Sequence, residues 1–560
     1  MSMTLEFRIP FVFAISLVLA ACASNTPVAP ARSACAQLTT VRVPASAIGL
    51  PTQGATVTAA TLVAASGAGS SAVVEHCLVT AAIKPVDPTA WDIRFQMALP
   101  TTWNSKTVTL GGGGYNGTIP SVTGNLGATS RAISTPLSRG YAVFGSDSGH
   151  QNETLPDQGA FAVNQEAYRN WQGDALKKTR DAAAVLIEAT YGAKASRAYF
   201  LGSSTGGKEA LTVAGRWPTD WDGVVSLYPA RPVVSHILAF IRASQAFAAP
   251  GAFPNYAKRG VLRRAALEAC DGLDGVADGV ISYVQLCNAR FDPMTASLAG
   301  VAVRCSGGTD TGDTCLSDVQ IGAFVTMNSR LDFAFPLASG ETSFPGWNAF
   351  FSDSGANEAS LFNSGIAARA IGNAAPGYPA TSAMSRGAGF ADGFVRHAVT
   401  GDANYNYLTI NATDPGAYAA RFSAQSALDI GDRDLSGFAA RGGKVLLMHG
   451  TEDLLISPRV TQLYYQGQQA RLGAAAVDAF IRYYEAPGFG HGTGTSFQVS
   501  WDQLTALENW VERGTDPGVQ TVTDVAGVPG RTRPLCLYPA FPRYKGSGDV
   551  NLAASYTCSL

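Results

Sequence analysis

The sequence predicts an α/β fold: a largely parallel sheet interrupted by a large insertion. Three observations carry this. Short apolar runs alternate with helix-like segments before residue 230 and again after residue 433, but not between. A G-x-S-x-G pattern, Gly202-Ser203-Ser204-Thr205-Gly206, lies between one such run and a helix-like segment. Downstream, an aspartate and a histidine each follow a strand-like run in glycine-containing loops, at Asp453 and His491.

The first segment stands apart. Residues 11–21 form an apolar run with Arg8 before it, too short for a membrane span and ending in small residues, as a secretory signal does. Leu19-Ala20-Ala21-Cys22 resembles a bacterial lipobox, which would make Cys22 the lipidated first residue of the mature chain. Residues 1–21 are therefore read as a lipoprotein-type signal and 22–34 as a tether. The expected location is outside the cytoplasm of a bacterium, as an outer-membrane lipoprotein or a periplasmic or secreted protein. Any membrane contact is expected only through that anchor.

Residues 35–230 are read as the first part of the α/β domain. Residues 91–99 and 106–110 run apolar or alternate, as strands do, and 141–144 repeat the signal. Residues 172–189 read as an amphipathic helix, 198–201 as the strand before Ser204, 208–216 as the helix after it, and 224–227 as the next strand. Residues 231–433 lose this rhythm and read as a helical, loop-rich lid. Strand signals resume at 443–450 and 480–484, with helices at 459–472 and 500–513, so 434–560 complete the domain. A single interrupted domain explains why Ser204 and His491 lie on opposite sides of the insertion.

Composition narrows the class of function. With 15% charged residues, a net charge of −2 and no basic run, the 560-residue chain does not read as a nucleic-acid binder. The 46% apolar content supports a real core. Setting Cys22 aside, eight cysteines remain, an even number that in an exported chain argues for disulfides. Local spacing favours Cys270–Cys287, Cys305–Cys315 and Cys536–Cys558, leaving Cys35–Cys77. None forms a CxxC pair, so a zinc ribbon is disfavoured.

The chain order Ser204, Asp453, His491 is that of an α/β-hydrolase triad. His491 would take the Ser204 proton, and Asp453 would fix the imidazole tautomer. Glu452 competes for the acid role. His449, at a strand end, reads as structural or as a pocket residue. The backbone N–H of Thr205 is one expected oxyanion donor, and the second is expected from the four glycines at 111–114.

These motifs, with His449-Gly-x-x-Asp453 and Pro487-Gly-x-x-His491, resemble the tannase/feruloyl esterase family. The similarity runs to Arg531-Thr-Arg-Pro-Leu-Cys536 and Arg543-Tyr-Lys-Gly-Ser-Gly-Asp549, and is close to members that cleave terephthalate monoesters. The resemblance implies an α/β-hydrolase fold with a lid, the triad above, and oxyanion donors at Gly114 and Thr205. It supports the four disulfides. It implies structural Ca²⁺ on Asp271, Asp274 and Asp278 with the backbone oxygens of Val276 and Val280, and no organic cofactor. It also implies action on small esters of aromatic acids, of feruloyl, galloyl or terephthalate type; a monomer is expected. Arg386 is the nearest match to a lid arginine that clamps a free carboxylate, Phe390 matches a lid phenylalanine, and Ile456 stands where a pocket aromatic is found. In one respect the chain departs from the pattern. The family usually joins the residue before the nucleophile to the residue after the base by a disulfide; here those positions are Ser203 and Gly492. A non-catalytic lipoprotein that binds aromatic esters is the contrasting reading, disfavoured because every catalytic position is filled.

Overall fold

The computed structural model describes residues 1, 30–130, 132–151, 158–352, 370–429, 434–494 and 496–560. The signal segment and Cys22 lie outside the described residues.

Ten strands make one sheet. They are β1 (Arg42–Val43), β2 (Ala55–Val63), β3 (His76–Ile83), β4 (Ile93–Pro100), β5 (Lys106–Leu110), β6 (Ala142–Ser146), β7 (Arg197–Ser203), β8 (Gly223–Leu227), β9 (Lys444–Gly450) and β10 (Ile481–Ala486). Their order is β1-β2-β3-β4-β6-β5-β7-β8-β9-β10. The strands from β1 to β4 form an antiparallel meander, and β6 is antiparallel to β4. From β6 through β10 the neighbours are parallel. Strand β2 was not legible in the sequence because it is rich in Ala and Thr and half exposed, which erases the apolar alternation.

Alternate side chains of the central strands feed two cores. Tyr199 and Leu201 of β7, Val225 of β8 and Met448 of β9 pack with Leu507 and Trp510 of the helix Gln503–Arg513. Phe200, Val224 and Leu447 point the other way, against Leu211 of the helix Thr205–Arg216 and Tyr464 of the helix Pro458–Leu472. Helices on both faces explain why β7, β8 and β9 read as nearly continuous apolar runs.

Two helices start later than the sequence reading places them. The expected helix over 172–189 begins at Ala175, because Gly173 breaks the backbone with φ 138°. The expected helix from 500 begins at Gln503, because Val499–Ser500 pairs as a strand with Gln520–Asp524.

Between β8 and β9 the chain forms the helical insertion, including Val233–Ala248, Tyr256–Cys270, Asp318–Asn328 and Arg386–Gly393. Its core is continuous with Tyr115, Trp171 and Leu454 to Ile456 of the sheet domain. The insertion therefore sits on the loops that follow the strands' C-terminal ends. Disulfides join Cys35 to Cys77, Cys270 to Cys287, Cys305 to Cys315, and Cys536 to Cys558.

Candidate active site

Ser204 is the single residue between β7 and the helix Thr205–Arg216, with φ 60° and ψ −122°. That conformation is strained for serine and holds its side chain above the turn. Such a turn leaves no room around it. A Cβ on Gly202 would lie 1.9 Å from the Gly206 carbonyl oxygen, and one on Gly206 would lie 2.9 Å from the Gly112 oxygen. Both glycines of the motif are thus required by space.

The three candidate catalytic groups meet. Ser204 Oγ lies 2.8 Å from His491 Nε2, and His491 Nδ1 lies 2.7 Å from Asp453 Oδ2. Asp453 and His491 are buried. Asp453 Oδ1 accepts from the N–H groups of Leu455 and Ile456, both at 2.9 Å. Burial, the largest influence on this carboxyl, pushes its pKa up. The opposing pull of His491 and hydrogen bonds from His449 and His491 outweigh it, and hold the group well below the usual carboxylate range. Glu452, the competing acid, lies instead 3.3 Å from Arg263.

His449 does not line the pocket as a wall; it stands behind Asp453. Its Nε2 lies 3.2 Å from Asp453 Oδ2 and 3.1 Å from the Ile456 carbonyl oxygen, both acceptors, so Nε2 carries the proton. Its Nδ1 then accepts from Thr461 Oγ1 at 2.8 Å.

The glycine loop at 111–114 is tied to the helix that follows Ser204. Thr205 occupies the first helical position, where a backbone N–H has no intrahelical acceptor. Its Oγ1 donates to the Gly114 carbonyl oxygen at 2.5 Å, and Gly206 N–H donates to Gly112 O at 2.9 Å. Glu209, buried on the same helix, accepts from Gly112 N–H at 2.9 Å and Asn116 Nδ2 at 2.7 Å. Sequence reasoning missed Glu209, whose partners lie more than ninety residues earlier.

Gly114, Ser204 and Thr205 open on a pocket. Its walls are largely aromatic and aliphatic: Tyr115, Trp171, Phe240, Phe390 and Ile456. Tyr115 donates its hydroxyl to the Phe390 carbonyl at 2.8 Å, joining the glycine loop after β5 to the lid. The Arg386 guanidinium lies 5.1 Å from the Phe390 ring, and a Cβ on Gly114 would sit 3.7 Å from Arg386 Nη2. Phe390 thus lines the cavity near Gly114, with Arg386 beside its ring. Lys208 also borders it, one helical turn after Ser204. Its Nζ is 2.7 Å from Gln172 Oε1 and 4.3 Å from the Trp171 ring centre, and burial pushes its pKa down to about 8. The spacing from Ser204 to Lys208 was a usable signal; Trp171 and Phe240 gave none beyond apolarity.

The acidic loop shows a separate chemistry. Asp271 accepts from the N–H groups of Asp278, Gly279 and Val280. Asp278 Oδ2 accepts from Arg533 and from the Tyr556 hydroxyl. Asp274 Oδ1 accepts from Val276 N–H at 3.2 Å, whereas its Oδ2 is buried with no hydrogen-bond partner among the described residues. Burial pushes Asp274 up to about 7. Among the described residues no three acidic, His or Cys side chains form a ready metal set. The orphaned oxygen and the all-oxygen donor chemistry nonetheless suit a hard cation.

Fold and site together define an ester hydrolase of the α/β-hydrolase class with a helical lid. The chain belongs to the tannase and feruloyl esterase family, which matches residues 77–559. It is 37% identical to an uncharacterized esterase of Agrobacterium fabrum, covering 94% of this chain and 93% of that one. It is 33% identical to mono(2-hydroxyethyl) terephthalate hydrolase of Piscinibacter sakaiensis, covering 88% and 86%. That likeness is moderate and lower than the first, which corrects the close kinship expected from the sequence. Among solved structures, feruloyl esterase B from Aspergillus oryzae superposes with a TM-score of 0.73 at 21% identity, covering 94% of this chain and 100% of that one. Tannin acyl hydrolase from Aspergillus niger follows at 0.63 and 18%, covering 92% and 94%. These two carry the fold alone.

Proposed function

We propose that this protein is an exported serine esterase that cleaves esters of aromatic acids through an acyl-enzyme. The observation that carries the reading is the Ser204–His491–Asp453 relay opening into an aromatic-walled cavity. Ser204 Oγ attacks the ester carbonyl while His491 Nε2 takes its proton. The N–H groups of Gly114 and Thr205 receive the oxyanion. His491 returns the proton to the departing alcohol, leaving the aryl acyl group on Ser204. Water, deprotonated by His491, then releases the acid. Tyr115, Trp171 and Phe390 suit a planar aryl group stacked in the slot. Ser204→Ala should abolish turnover of methyl ferulate and methyl gallate and prevent fluorophosphonate labelling, with thermal unfolding unchanged. Wild-type-like turnover in that variant would sink the mechanism.

A second reading is a terephthalate monoester hydrolase in the strict sense. The placement of Arg386 beside Phe390 and Gly114 favours it, because a guanidinium there would meet the free carboxylate of such a substrate. Ile456 offers no ring for stacking at its wall. Arg386→Leu should raise KM for mono(2-hydroxyethyl) terephthalate and leave methyl ferulate unaffected; equal changes on both esters count against the reading.

We also infer a structural Ca²⁺ on Asp271, Asp274 and Asp278 with the Val276 and Val280 carbonyls, supported by the orphaned Asp274 oxygen. Lipidation at Cys22 is proposed from the lipobox pattern; membrane fractionation of the wild type against Cys22→Ala tests it.

A further inference from the structure

Tyr228 directly follows β8 and has φ 34°, a left-handed backbone that a tyrosine adopts only when its surroundings hold it there. Its N–H donates to the Met448 carbonyl at 2.6 Å, which pins the residue beside β9. The side chain is buried. Its ring meets the His491 ring edge-on, with centroids 4.9 Å apart at 63°. Phe489, from the same loop as His491, meets it from a second side at 6.0 Å.

The hydroxyl ends between the two catalytic loops. Burial pushes the phenol's pKa up to about 12, against a smaller opposing pull from the Ser203 side chain beside it. A Cβ built on Gly492 would lie 3.3 Å from this oxygen. One built on Gly127 would lie 2.3 Å from it and 3.6 Å from Ser203 Oγ. A single side chain thus touches the residue before the nucleophile, the ring of the base, and the residue after the base. Asp453 holds only the Nδ1 end of the imidazole. Tilting about that contact would carry Nε2 away from Ser204, and the Tyr228 ring stands against the tilt.

From these contacts we propose that Tyr228 is a positioning residue for His491. Its ring fixes the angle of the imidazole, and its hydroxyl, set beside Ser203 and Gly492, packs the nucleophile loop against the base loop. The proposal rests on the triad reading above.

The test compares wild type, Tyr228→Phe and Tyr228→Leu by steady-state hydrolysis, fluorophosphonate inactivation rate and thermal unfolding. Phe keeps the ring but removes the polar contact beside Ser203, and should lower kcat about five-fold, the scale of one neutral polar contact. Leu removes ring and hydroxyl and should lower kcat roughly 100-fold, as a misplaced catalytic group does. In both, KM should stay near wild type and the inactivation rate should fall with kcat. A cooperatively unfolding Leu variant with wild-type kcat and inactivation rate overturns the proposal, as does a loss confined to KM. If Leu does not fold, Phe decides alone: an unchanged kcat and inactivation rate overturn the tie. A wild-type protein that resists the probe would instead refute the triad reading itself.

Discussion

Asp453→Asn separates the triad acid from its neighbour Glu452, and the structure specifies how it fails. Asp453 Oδ1 accepts two backbone N–H groups at 2.9 Å, so the asparagine carbonyl oxygen must take that position. The amide nitrogen is then forced onto the place of Oδ2, 2.7 Å from His491 Nδ1 and 3.2 Å from His449 Nε2. A donor there requires His491 Nδ1 to accept, which moves the imidazole proton to Nε2. An Nε2–H cannot take the Ser204 proton. The expected loss is about 10⁴-fold in kcat, or about 5.5 kcal/mol of transition-state stabilisation. His449 suffers a second donor–donor clash, so no local rotation satisfies both rings. The assay is kcat on a p-nitrophenyl ester, with urea unfolding to show that the fold survives. Glu452→Gln is the paired control: its side chain faces Arg263, and kcat should change only a few-fold. An Asp453→Asn enzyme retaining more than a tenth of wild-type kcat refutes the reasoning. So does a Glu452→Gln enzyme that falls as far.

Three further outcomes follow from other buried carboxyls. Glu209→Gln places an amide N–H₂ against Gly112 N–H or Asn116 Nδ2, loosening the oxyanion loop; kcat should fall roughly 10- to 100-fold at constant KM, and an unchanged kcat means the loop is held without Glu209. Glu485, on β10, is pushed up to about 7 by burial, despite hydrogen bonds from Gln462 and Tyr483. Between its ordinary value of 4.5 and about 7 the folded protein keeps a proton that the unfolded chain has released, so this group's contribution to stability falls as pH rises through that window. Glu485→Gln keeps the acceptor oxygen, and should be more stable than wild type by about 3 kcal/mol at about pH 8 and nearly equal at about pH 4; equal gains at both pH values in urea unfolding would contradict this. Chelation should lower the Tm of wild type by several degrees but not that of Asp274→Asn, and calcium titration should release or absorb heat only with wild type; a wild-type Tm indifferent to both chelator and calcium removes the metal.

What was legible in the sequence was what local chemistry demands. Ser204 needs small neighbours within two residues, so its surroundings repeat as a motif. Asp453 and His491 needed only strand ends, which apolar runs mark. The cavity was not legible, because Tyr115, Trp171, Phe240 and Phe390 come from four distant segments and each reads only as apolar until packing brings them together. His449 reads only as structural or pocket-lining for a related reason: its neighbour Asp453 lies four residues away, but its proton acceptor Ile456 and its donor Thr461 belong to the next turn and helix. Ser203 and Gly492 show the limit most clearly. In the sequence they mark only an absence, two positions without a covalent tie. In the fold the space beside both is filled by the Tyr228 hydroxyl, and adding a Cβ to Gly492 would bring it within 3.3 Å of that oxygen. The missing bond therefore does not imply a slack site. A buried ring braced on His491 and held by a strained backbone, its hydroxyl beside Ser203 and Gly492, restrains the same two loops by packing.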